Sequence, residues 1–306
     1  MLRLYTHHAC LLHVSTTDHV ECPARLQAVL DALDVDRHAA LDRVEAPRAT
    51  RAQLLRVHAA AHVDAILLEA PDQGARMLDP DTYVCADSPE AALRAAGAVI
   101  AAVDAVVEGT CHHAFCAVRP PGHHATATQA MGFCLFNNVA LGAAHALAAH
   151  GLERIAIADF DVHHGNGTQG IFADEPRVMF ASSHQFPLYP GSGAPGESGV
   201  GNCINGTLPP GAGSNEFRAL WSKVLLPRLH AFKPQLVLVS AGFDAHRRDP
   251  LADLRLEEND YAWITAQLVA LASAHANDRL VSTLEGGYDL TALAASTQAH
   301  VAALMA

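Results

Sequence analysis

The greatest concentration of reactive side chains lies in residues 159–166, which carry two aspartates, two histidines and an asparagine. The preceding residues 154–158 end in an apolar run that predicts a buried parallel strand. Because side chains alternate in an extended segment, Asp159, Asp161 and His163 share one face and can converge on one cation. Carboxylate oxygens and imidazole nitrogens suit Zn²⁺, and also Fe²⁺ or Co²⁺. The alternative is a polar loop with capping side chains, which this motif by itself does not exclude.

Three other polar clusters also follow predicted strands. They are His123-His124 after residues 114–118, Phe243-Asp244 after residues 236–240, and Gly287-Tyr288 after residues 279–284. Open α/β sheets bind their ligands beyond the carboxyl ends of the strands. If the strands are parallel, all four clusters face one rim of the sheet, whereas capping residues placed by chance would scatter over both rims. The sequence therefore favours a single site.

A catalytic Zn²⁺ takes three protein ligands and keeps one position for water or substrate. Asp161, His163 and Asp244 supply such a set. A water activated by the metal becomes a nucleophile near neutral pH when a neighbouring base takes its proton. These residues therefore predict hydrolytic chemistry.

The remaining polar residues of the four clusters can complete such a site. His123 and His124 are the candidates for base and acid, and Tyr288 can donate a hydrogen bond to the oxyanion that forms when a carbonyl is attacked. Asp159 and Asn166 can orient the two imidazoles through hydrogen bonds. The assembled parts predict metal-assisted hydrolysis of an amide or an ester.

The elements that must position these residues alternate between strand and helix. Strands are predicted at residues 2–5, 114–118, 154–158, 178–181, 204–208, 236–240 and 279–284, and helices at 51–58, 61–70, 89–109, 139–150, 167–173, 216–231, 257–275 and 290–305, with one more beginning near Pro23. This alternation predicts an α/β fold with a mostly parallel sheet covered by helices on both faces. Residues 71–89 and 185–213 are predicted as long loops, and Arg25 is expected at the surface.

Composition narrows the class of protein. The 306 residues are 50% hydrophobic and 17% charged, which is enough for one large core, and we expect a single domain over residues 1–306. The net charge of −12 and the lack of a Lys/Arg run argue against a nucleic-acid partner. The seven cysteines form no CxxC pair, and no signal peptide or transmembrane stretch is evident, so a cytoplasmic protein without a membrane partner is expected. The oligomeric state stays open.

Five motifs together resemble the zinc-dependent histone deacetylase family. They are residues 119–125, 132–134, 159–168, 242–246 and 285–288, and they occur in the family's order from about residue 19 to the C-terminus. That superfamily also includes acetylpolyamine amidohydrolases and acetoin-utilisation proteins. The resemblance implies the arginase–deacetylase fold.

The resemblance also assigns the cations. It implies one Zn²⁺ held by Asp161, His163 and Asp244. It further implies a structural K⁺ held by backbone oxygens of Asp159, Asp161 and His163 and by the hydroxyl of Ser182.

Catalytic roles follow from the same match. The resemblance implies His124 as general base and then acid, His123 as an electrostatic partner of the activated water, and Tyr288 as the group that polarises the carbonyl. Asp159 would support His123, and Asn166 would support His124. Asparagine at that last position is similar to the class II branch of the family.

A substrate tunnel is implied as well. Gly132 and Phe133 match one wall, and Tyr189 is expected at the opposite wall. Leu251 follows an Asp-Pro pair at the expected mouth of the pocket, where relatives tuned to acetylpolyamines carry a carboxylate. The uncharged Leu251 favours an apolar acyl-lysine stem, although Asp79 or Asp81 could attract a cation by another route.

These expectations combine into a zinc-dependent amidohydrolase that removes acetyl or longer acyl groups from lysine side chains of proteins or peptides. One alternative is a deacetylase of small acetylated amines such as acetylpolyamines. Another is a non-catalytic binding protein, which would be expected to lack Tyr288, a histidine or a metal ligand. A third is an arginase-like enzyme with two manganese ions, but Gly165 and His246 stand where its additional aspartates would be.

Overall fold

The computed structural model describes residues 1–15, 18–34 and 41–306. The strands are β1 (Leu2–Thr6), β2 (Asp42–Glu45), β3 (Ala75–Asp79), β4 (Thr82–Cys85), β5 (His113–Cys116), β6 (Ile155–Asp159), β7 (Val178–Gln185), β8 (Cys203–Leu208), β9 (Leu236–Ala241) and β10 (Leu280–Leu284). The helices are α1 (Pro23–Leu33), α2 (Arg51–Leu54), α3 (Ala60–Leu68), α4 (Ser88–Val107), α5 (Asn138–His150), α6 (Asn166–Phe172), α7 (Ser214–Leu220), α8 (Leu226–Phe232), α9 (Glu258–His275) and α10 (Leu290–Met305), with a 3₁₀ turn at His8–Leu11 and a π turn at Trp221–Leu225.

Eight of these strands form one sheet in the order β2-β1-β5-β10-β9-β6-β7-β8. Every neighbouring pair in this sheet is parallel, so the predicted parallel sheet is confirmed. The central strands β6, β9 and β10 are buried along their whole length. Parallel strands covered on both faces read as continuous apolar runs, which explains why these three were visible in the sequence.

Helices cover both faces of the sheet. Ser282 in β10 donates to or accepts from His300 of α10 across 2.9 Å, so its side chain points towards that helix. The preceding residue, Val281, therefore points to the other face, and it pairs with Leu238 of β9. A Cβ placed on Gly142 of α5 would lie 3.7 Å from the Leu238 side chain, which puts α5 on that opposite face.

Two segments differ from expectation. Residues 71–89, predicted as a loop, contain the antiparallel hairpin of β3 and β4. Strand β4 is buried, and its threonine, tyrosine and valine have strong strand propensity. The proline and aspartate residues around these four positions had favoured a loop instead. The edge strand β2 was not predicted because its four residues include three charged side chains and alternate between half-buried and exposed.

None of the helices in residues 1–15, 18–34 and 41–306 combines the length and apolar character that a bilayer crossing requires.

Helix α6 contacts the loop that carries the two adjacent histidines. The backbone N–H of Thr168 donates to the carbonyl oxygen of His123 across 3.1 Å. A Cβ on Gly167 would lie only 2.2 Å from the carbonyl oxygen of Ala125, whereas a Cβ on Gly170 in the same helix would have no atom within 4 Å. The close approach of α6 to this loop therefore requires glycine at position 167 but not at position 170.

This difference predicts opposite effects for two matched substitutions. Gly170→Ala should stabilise the protein by roughly 0.5–1 kcal/mol because alanine loses less backbone entropy in a helix. Gly167→Ala should destabilise the protein despite the same gain, because the new methyl group displaces the histidine loop. Denaturant unfolding of both variants measures this, and equal stabilisation by the two would contradict the described packing.

Candidate active site

The four polar clusters lie at the ends of four neighbouring strands. In the sheet order β5, β10, β9 and β6 are adjacent and parallel, so their carboxyl ends form one continuous rim. A cavity of about 200 Å³ opens at this rim. Its lining consists of Asp81, Pro121, His123, His124, Gly132, Phe133, His163, Leu188, Tyr189, Leu251, Gly286 and Tyr288.

Asp161, His163 and Asp244 form a compact group beside this cavity. One potential ligand atom from each lies within 4.8 Å of the other two, and all three residues are buried. Nδ1 of His163 is 3.1 Å from Oδ1 of Asp161 and 3.1 Å from Oδ2 of Asp244. Carboxylate oxygens and an imidazole nitrogen converging in this way are the donors that Zn²⁺ takes in catalytic sites.

The charges of this group also fit a cation. Burial alone would lower the pKa of His163, but its hydrogen bonds to Asp161 and Asp244 raise it to about 10. Burial, with repulsion from Asp161, raises the pKa of Asp244 to about 7. A proton on His163 thus offsets part of the negative charge of the two carboxylates. A divalent cation bound there would offset more of that charge.

Two glycines make room for the carboxylates. A Cβ on Gly242 would lie 2.0 Å from Oδ2 of Asp161, and a Cβ on Gly286 would lie 2.0 Å from Oδ2 of Asp244. The backbone N–H of Gly286 donates to Asp161 Oδ2 across 2.8 Å. The group is therefore held in a cradle that any larger residue at these positions would fill, which supports a metal-binding arrangement.

His123 is held as a cation. Its Nδ1 donates to Oδ2 of Asp159 across 3.0 Å, and its Nε2 is 3.8 Å from Oδ1 of Asp161. Burial alone would lower the pKa of His123, but the two carboxylates raise it to about 10. Glu285 fixes the backbone of the same loop, because its Oε2 accepts from the N–H groups of Gly122 and His123 across 2.6 and 3.2 Å. Sequence reasoning gave Glu285 no role.

His124 lies beside His123 but is neutral. Burial, together with the positive charges of His123 and His163, holds the pKa of His124 well below its usual value. Its Nδ1 is 2.8 Å from Oδ1 of Asn166, an acceptor, so Nδ1 carries the proton and Nε2 is the basic nitrogen. The ring centres of the two histidines are 4.0 Å apart, so a base and a cation stand side by side.

Arg25 is buried, so its expected position at the surface is wrong. Its Nε and Nη2 donate to the carbonyl oxygens of Gly287 and Glu285, each across 2.6 Å, and its Nη1 donates to Glu21 across 3.0 Å. The guanidinium carbon lies 4.6 Å from the centre of the Tyr288 ring. Arg25 thus holds the segment that presents Tyr288. Glu21, four residues earlier and two residues before α1 begins, was the signal in the sequence that could have indicated a buried pair.

Glu21 joins Arg25 to a second buried arginine. Oε2 of Glu21 accepts from Nη2 of Arg119 across 2.6 Å, and neither side chain is exposed. Burial alone would raise the pKa of Glu21, but Arg119 and Arg25 lower it to about 2. The ionised carboxylate therefore ties the start of the His123 loop to the residue that supports Tyr288.

Asp249 supports Tyr288 from the other side. Its Oδ2 accepts from the backbone N–H of Tyr288 across 2.7 Å, and its Oδ1 accepts from the N–H of Leu251 across 3.0 Å. Burial raises the pKa of Asp249 to about 6. Leu251 is thereby fixed at the lining of the cavity, next to the segment that carries Tyr288.

Aromatic rings line the approach to the histidines. The Tyr189 ring centre is 5.2 Å from that of His124, and the Phe133 ring centre is 5.8 Å from that of Tyr288. The β3–β4 hairpin positions Phe133, because Thr82 accepts from the N–H of Phe133 across 2.9 Å. Asp81, in the turn of this hairpin, accepts from the N–H of Gly132 across 3.2 Å and faces the cavity.

Ser182, expected to contribute to a potassium site, is buried in β7. It pairs with Asp159 of β6 in the sheet register, and its hydroxyl is 2.9 Å from Nδ1 of His184. The serine and the backbone that precedes Asp161 and His163 are therefore neighbours at the same rim.

Known proteins resemble this chain over nearly its whole length. The family model described as histone deacetylase domain matches residues 19–304. A probable deacetylase of Archaeoglobus fulgidus is 38% identical over 98% of this chain and 85% of its own length. A histone deacetylase-like amidohydrolase of Pseudomonas aeruginosa is 41% identical over 88% of this chain and 72% of its own length.

A further relative and a solved structure extend the comparison. Polyamine deacetylase HDAC10 of Mus musculus is 38% identical over 94% of this chain and 45% of its own length. The crystal structure of the HDA15 HD domain superposes with a TM-score of 0.93 at 35% identity, covering 99% of this chain and 88% of that one. The sheet and its helices thus form the arginase–deacetylase fold in a single domain, and the chain belongs to the histone deacetylase family.

Proposed function

We propose that this protein is a zinc-dependent amidohydrolase that removes acetyl or longer acyl groups from lysine side chains. The observation that carries the proposal is the buried group of Asp161, His163 and Asp244 beside two adjacent histidines, of which His123 contacts a carboxylate and His124 an amide. A metal-dependent hydrolase needs a cation site, a base and an oxyanion donor within reach of one bond, and the cavity at this rim is lined by candidates for each.

The metal ligands would be Asp161, His163 and Asp244. Zn²⁺ bound there would act as a Lewis acid towards the substrate carbonyl and would make a water molecule easier to deprotonate. A structural K⁺ held by backbone oxygens of Asp159, Asp161 and His163 and by the Ser182 hydroxyl is proposed on the resemblance alone. A cytoplasmic location and the extent of the domain over residues 1–306 also stay proposals.

The protein side chains would move the protons. Nε2 of neutral His124 would take a proton from the attacking water and later deliver it to the leaving amine. Cationic His123 and the Tyr288 hydroxyl would stabilise the negative charge that develops on the carbonyl oxygen. In total, the carbon–nitrogen bond breaks, hydroxide adds to the acyl carbon, and the amine gains a proton.

The cavity walls favour an acyl-lysine. Phe133 and Tyr189 offer apolar surface for a methylene chain, and Leu251 adds no charge. The second candidate is a small acetylated amine, because Asp81 lines the same cavity and a relative is described as a polyamine deacetylase. A non-catalytic binding protein is disfavoured since no expected catalytic residue is replaced.

The metal requirement can be tested with Asp244→Asn, which keeps the shape of the side chain but removes its charge. We expect this variant to lose activity and the tightly bound catalytic Zn²⁺ while remaining folded. The matched control is Asp64→Asn, which alters a half-buried aspartate paired with Arg51 and should leave both activity and metal content unchanged. Metal analysis and a deacylation assay measure this. Full activity in metal-free Asp244→Asn protein would disprove the ligand assignment.

The role of Tyr288 can be separated from substrate binding. Tyr288→Phe should lower kcat by about 10²–10³, the usual cost of losing one oxyanion donor, with a much smaller change in KM. Tyr5→Phe removes a hydroxyl that instead bonds the carbonyl oxygen of Ala101, and it should leave kcat unchanged. Near-normal kcat in Tyr288→Phe would remove this tyrosine from the mechanism.

Substrate class is tested by comparing kcat/KM for an acetyl-lysine peptide and an acetylated polyamine. We expect the peptide to be preferred, and Leu251→Glu to shift the ratio of kcat/KM values towards the polyamine by roughly tenfold or more through charge attraction. Leu251→Gln is the uncharged control of similar size. A preference of the unmodified protein for the polyamine, reduced by Asp81→Asn, would instead support the second candidate.

A further inference from the structure

A second group of potential metal ligands lies outside the cavity. Asp104 in α4 and His145 and His150 in α5 each place one ligand atom within 4.8 Å of the other two. Oδ1 of Asp104 is 2.6 Å from Nε2 of His145 and 2.7 Å from Nε2 of His150. Among the residues that the structure describes, this group and that of Asp161 are the ones that meet this criterion.

This group is remote from the proposed active site. Asn137, at the start of α5, donates to the carbonyl oxygen of Ala125 and so lies beside the histidine loop. His150 is the last residue of α5, and the helix of 13 residues is roughly 20 Å long. The loop after it leads to the amino end of β6. The second group therefore lies near the rim of the sheet opposite to the cavity.

The ligand atoms of this group suit a divalent ion of intermediate softness such as Zn²⁺. Two imidazole nitrogens and one carboxylate oxygen form a three-ligand set that Zn²⁺ accepts readily. In tetrahedral Zn²⁺ sites with bonds of 2.0–2.2 Å, ligand atoms are roughly 3.3 Å apart, so the two nitrogens need to move away from Asp104 by less than about 1 Å. The histidine side chains are mostly buried, while that of Asp104 is 40% exposed, which gives an ion access from solvent.

One neighbouring cation competes with an ion at this group. Nη1 of Arg56 is 2.5 Å from Nδ1 of His145. Arginine can only donate, so this contact places the imidazole proton on Nε2, the atom that faces Asp104. Metal binding needs a lone pair on Nε2 and hence a proton on Nδ1, which Arg56 opposes. Arg56 is exposed and lines a cavity of about 370 Å³, so it has room to turn away.

We propose that Asp104, His145 and His150 bind a second Zn²⁺ that joins α4 to α5. Because this site is separate from the cavity, the proposal does not depend on the proposed function. The ion would link two helices on one face of the sheet and so stabilise the folded protein, since a ligand that binds only the folded state raises its stability. It would take no part in the hydrolytic reaction.

The first test counts metal ions. Protein stripped of metal, reloaded with Zn²⁺ and desalted should contain one Zn²⁺ more per chain than Asp104→Asn treated in the same way, which is two against one when the active-site ion is bound. Added Zn²⁺ should raise the melting temperature of the unmodified protein further than that of Asp104→Asn when the active-site ion is already bound. Activity with that ion bound should be the same in both proteins. Equal metal content in the unmodified protein and in Asp104→Asn would overturn the proposal.

A second variant tests the site without removing a ligand, so that misfolding cannot explain the result. Arg56→Met alters an exposed side chain and removes the competing charge, so the second Zn²⁺ should bind roughly tenfold more tightly, because like charges a few ångströms apart repel even in water. A trio that serves only as a hydrogen-bonded link between the helices would gain no Zn²⁺ affinity from this change. Unchanged or weaker binding in Arg56→Met, measured by competition with a coloured chelator, would contradict the proposed role of Arg56 and of the site.

The matched control uses another pair of histidines. His230 and His275 have ring nitrogens 3.0 Å apart on the exposed surface, but they do not belong to a three-ligand group in the part of the chain that the structure describes. Replacing both with alanine should leave the metal content per chain the same as in the unmodified protein. Loss of the second ion in this double variant, together with its retention in Asp104→Asn, would assign adventitious binding to the surface pair and overturn the proposal.

Discussion

Four carboxylates are buried together at one rim of the sheet, and their negative charge governs what surrounds them. Asp159, Asp161, Asp244 and Glu285 are each at most 1% exposed. Burying an unpaired charge costs far more free energy than one hydrogen bond returns, so each carboxylate needs a compensating partner. Backbone N–H groups, imidazolium and a bound cation are the available partners. The glycines and histidines of this rim are therefore required by the charge as much as by the chemistry.

The need to compensate buried charge also applies behind the cavity. Arg25 is held in place by the Glu21 carboxylate, and it has its remaining donors on carbonyl oxygens of the segment that ends in Tyr288. Replacing one partner of such a buried pair leaves the other uncompensated, which is costly, so the pair defines one conformation of the segment. The position of Tyr288 thus depends on the salt bridge between Glu21 and Arg25, although neither of these charged groups takes part in the proposed reaction.

Features of this structure that depend on neighbouring residues could be predicted from the sequence, whereas features that depend on residues distant along the chain could not. Strand ends that carry Asp161 or His124 were recognisable because an apolar run and the polar residues after it are local features. The parallel sheet then followed from their alternation with helices. The burial of Arg25 could not be read in the same way, since its carbonyl partners lie more than 250 positions away. The β3–β4 hairpin was missed because tertiary packing outweighed the composition of its flanks.

Two adjacent residues of the same type show how partners decide function. His123 faces the carboxylate of Asp159, whereas His124 faces the amide of Asn166, and these are the two partners that their Nδ1 atoms contact. A carboxylate stabilises the imidazolium through its charge, whereas a neutral amide oxygen fixes the tautomer and favours the imidazolium less. Once His123 is charged, it further disfavours a proton on its neighbour. The carboxylate and the amide, together with Asp161 near His123 and the charge of His163 near His124, therefore separate the pKa values of two adjacent imidazoles.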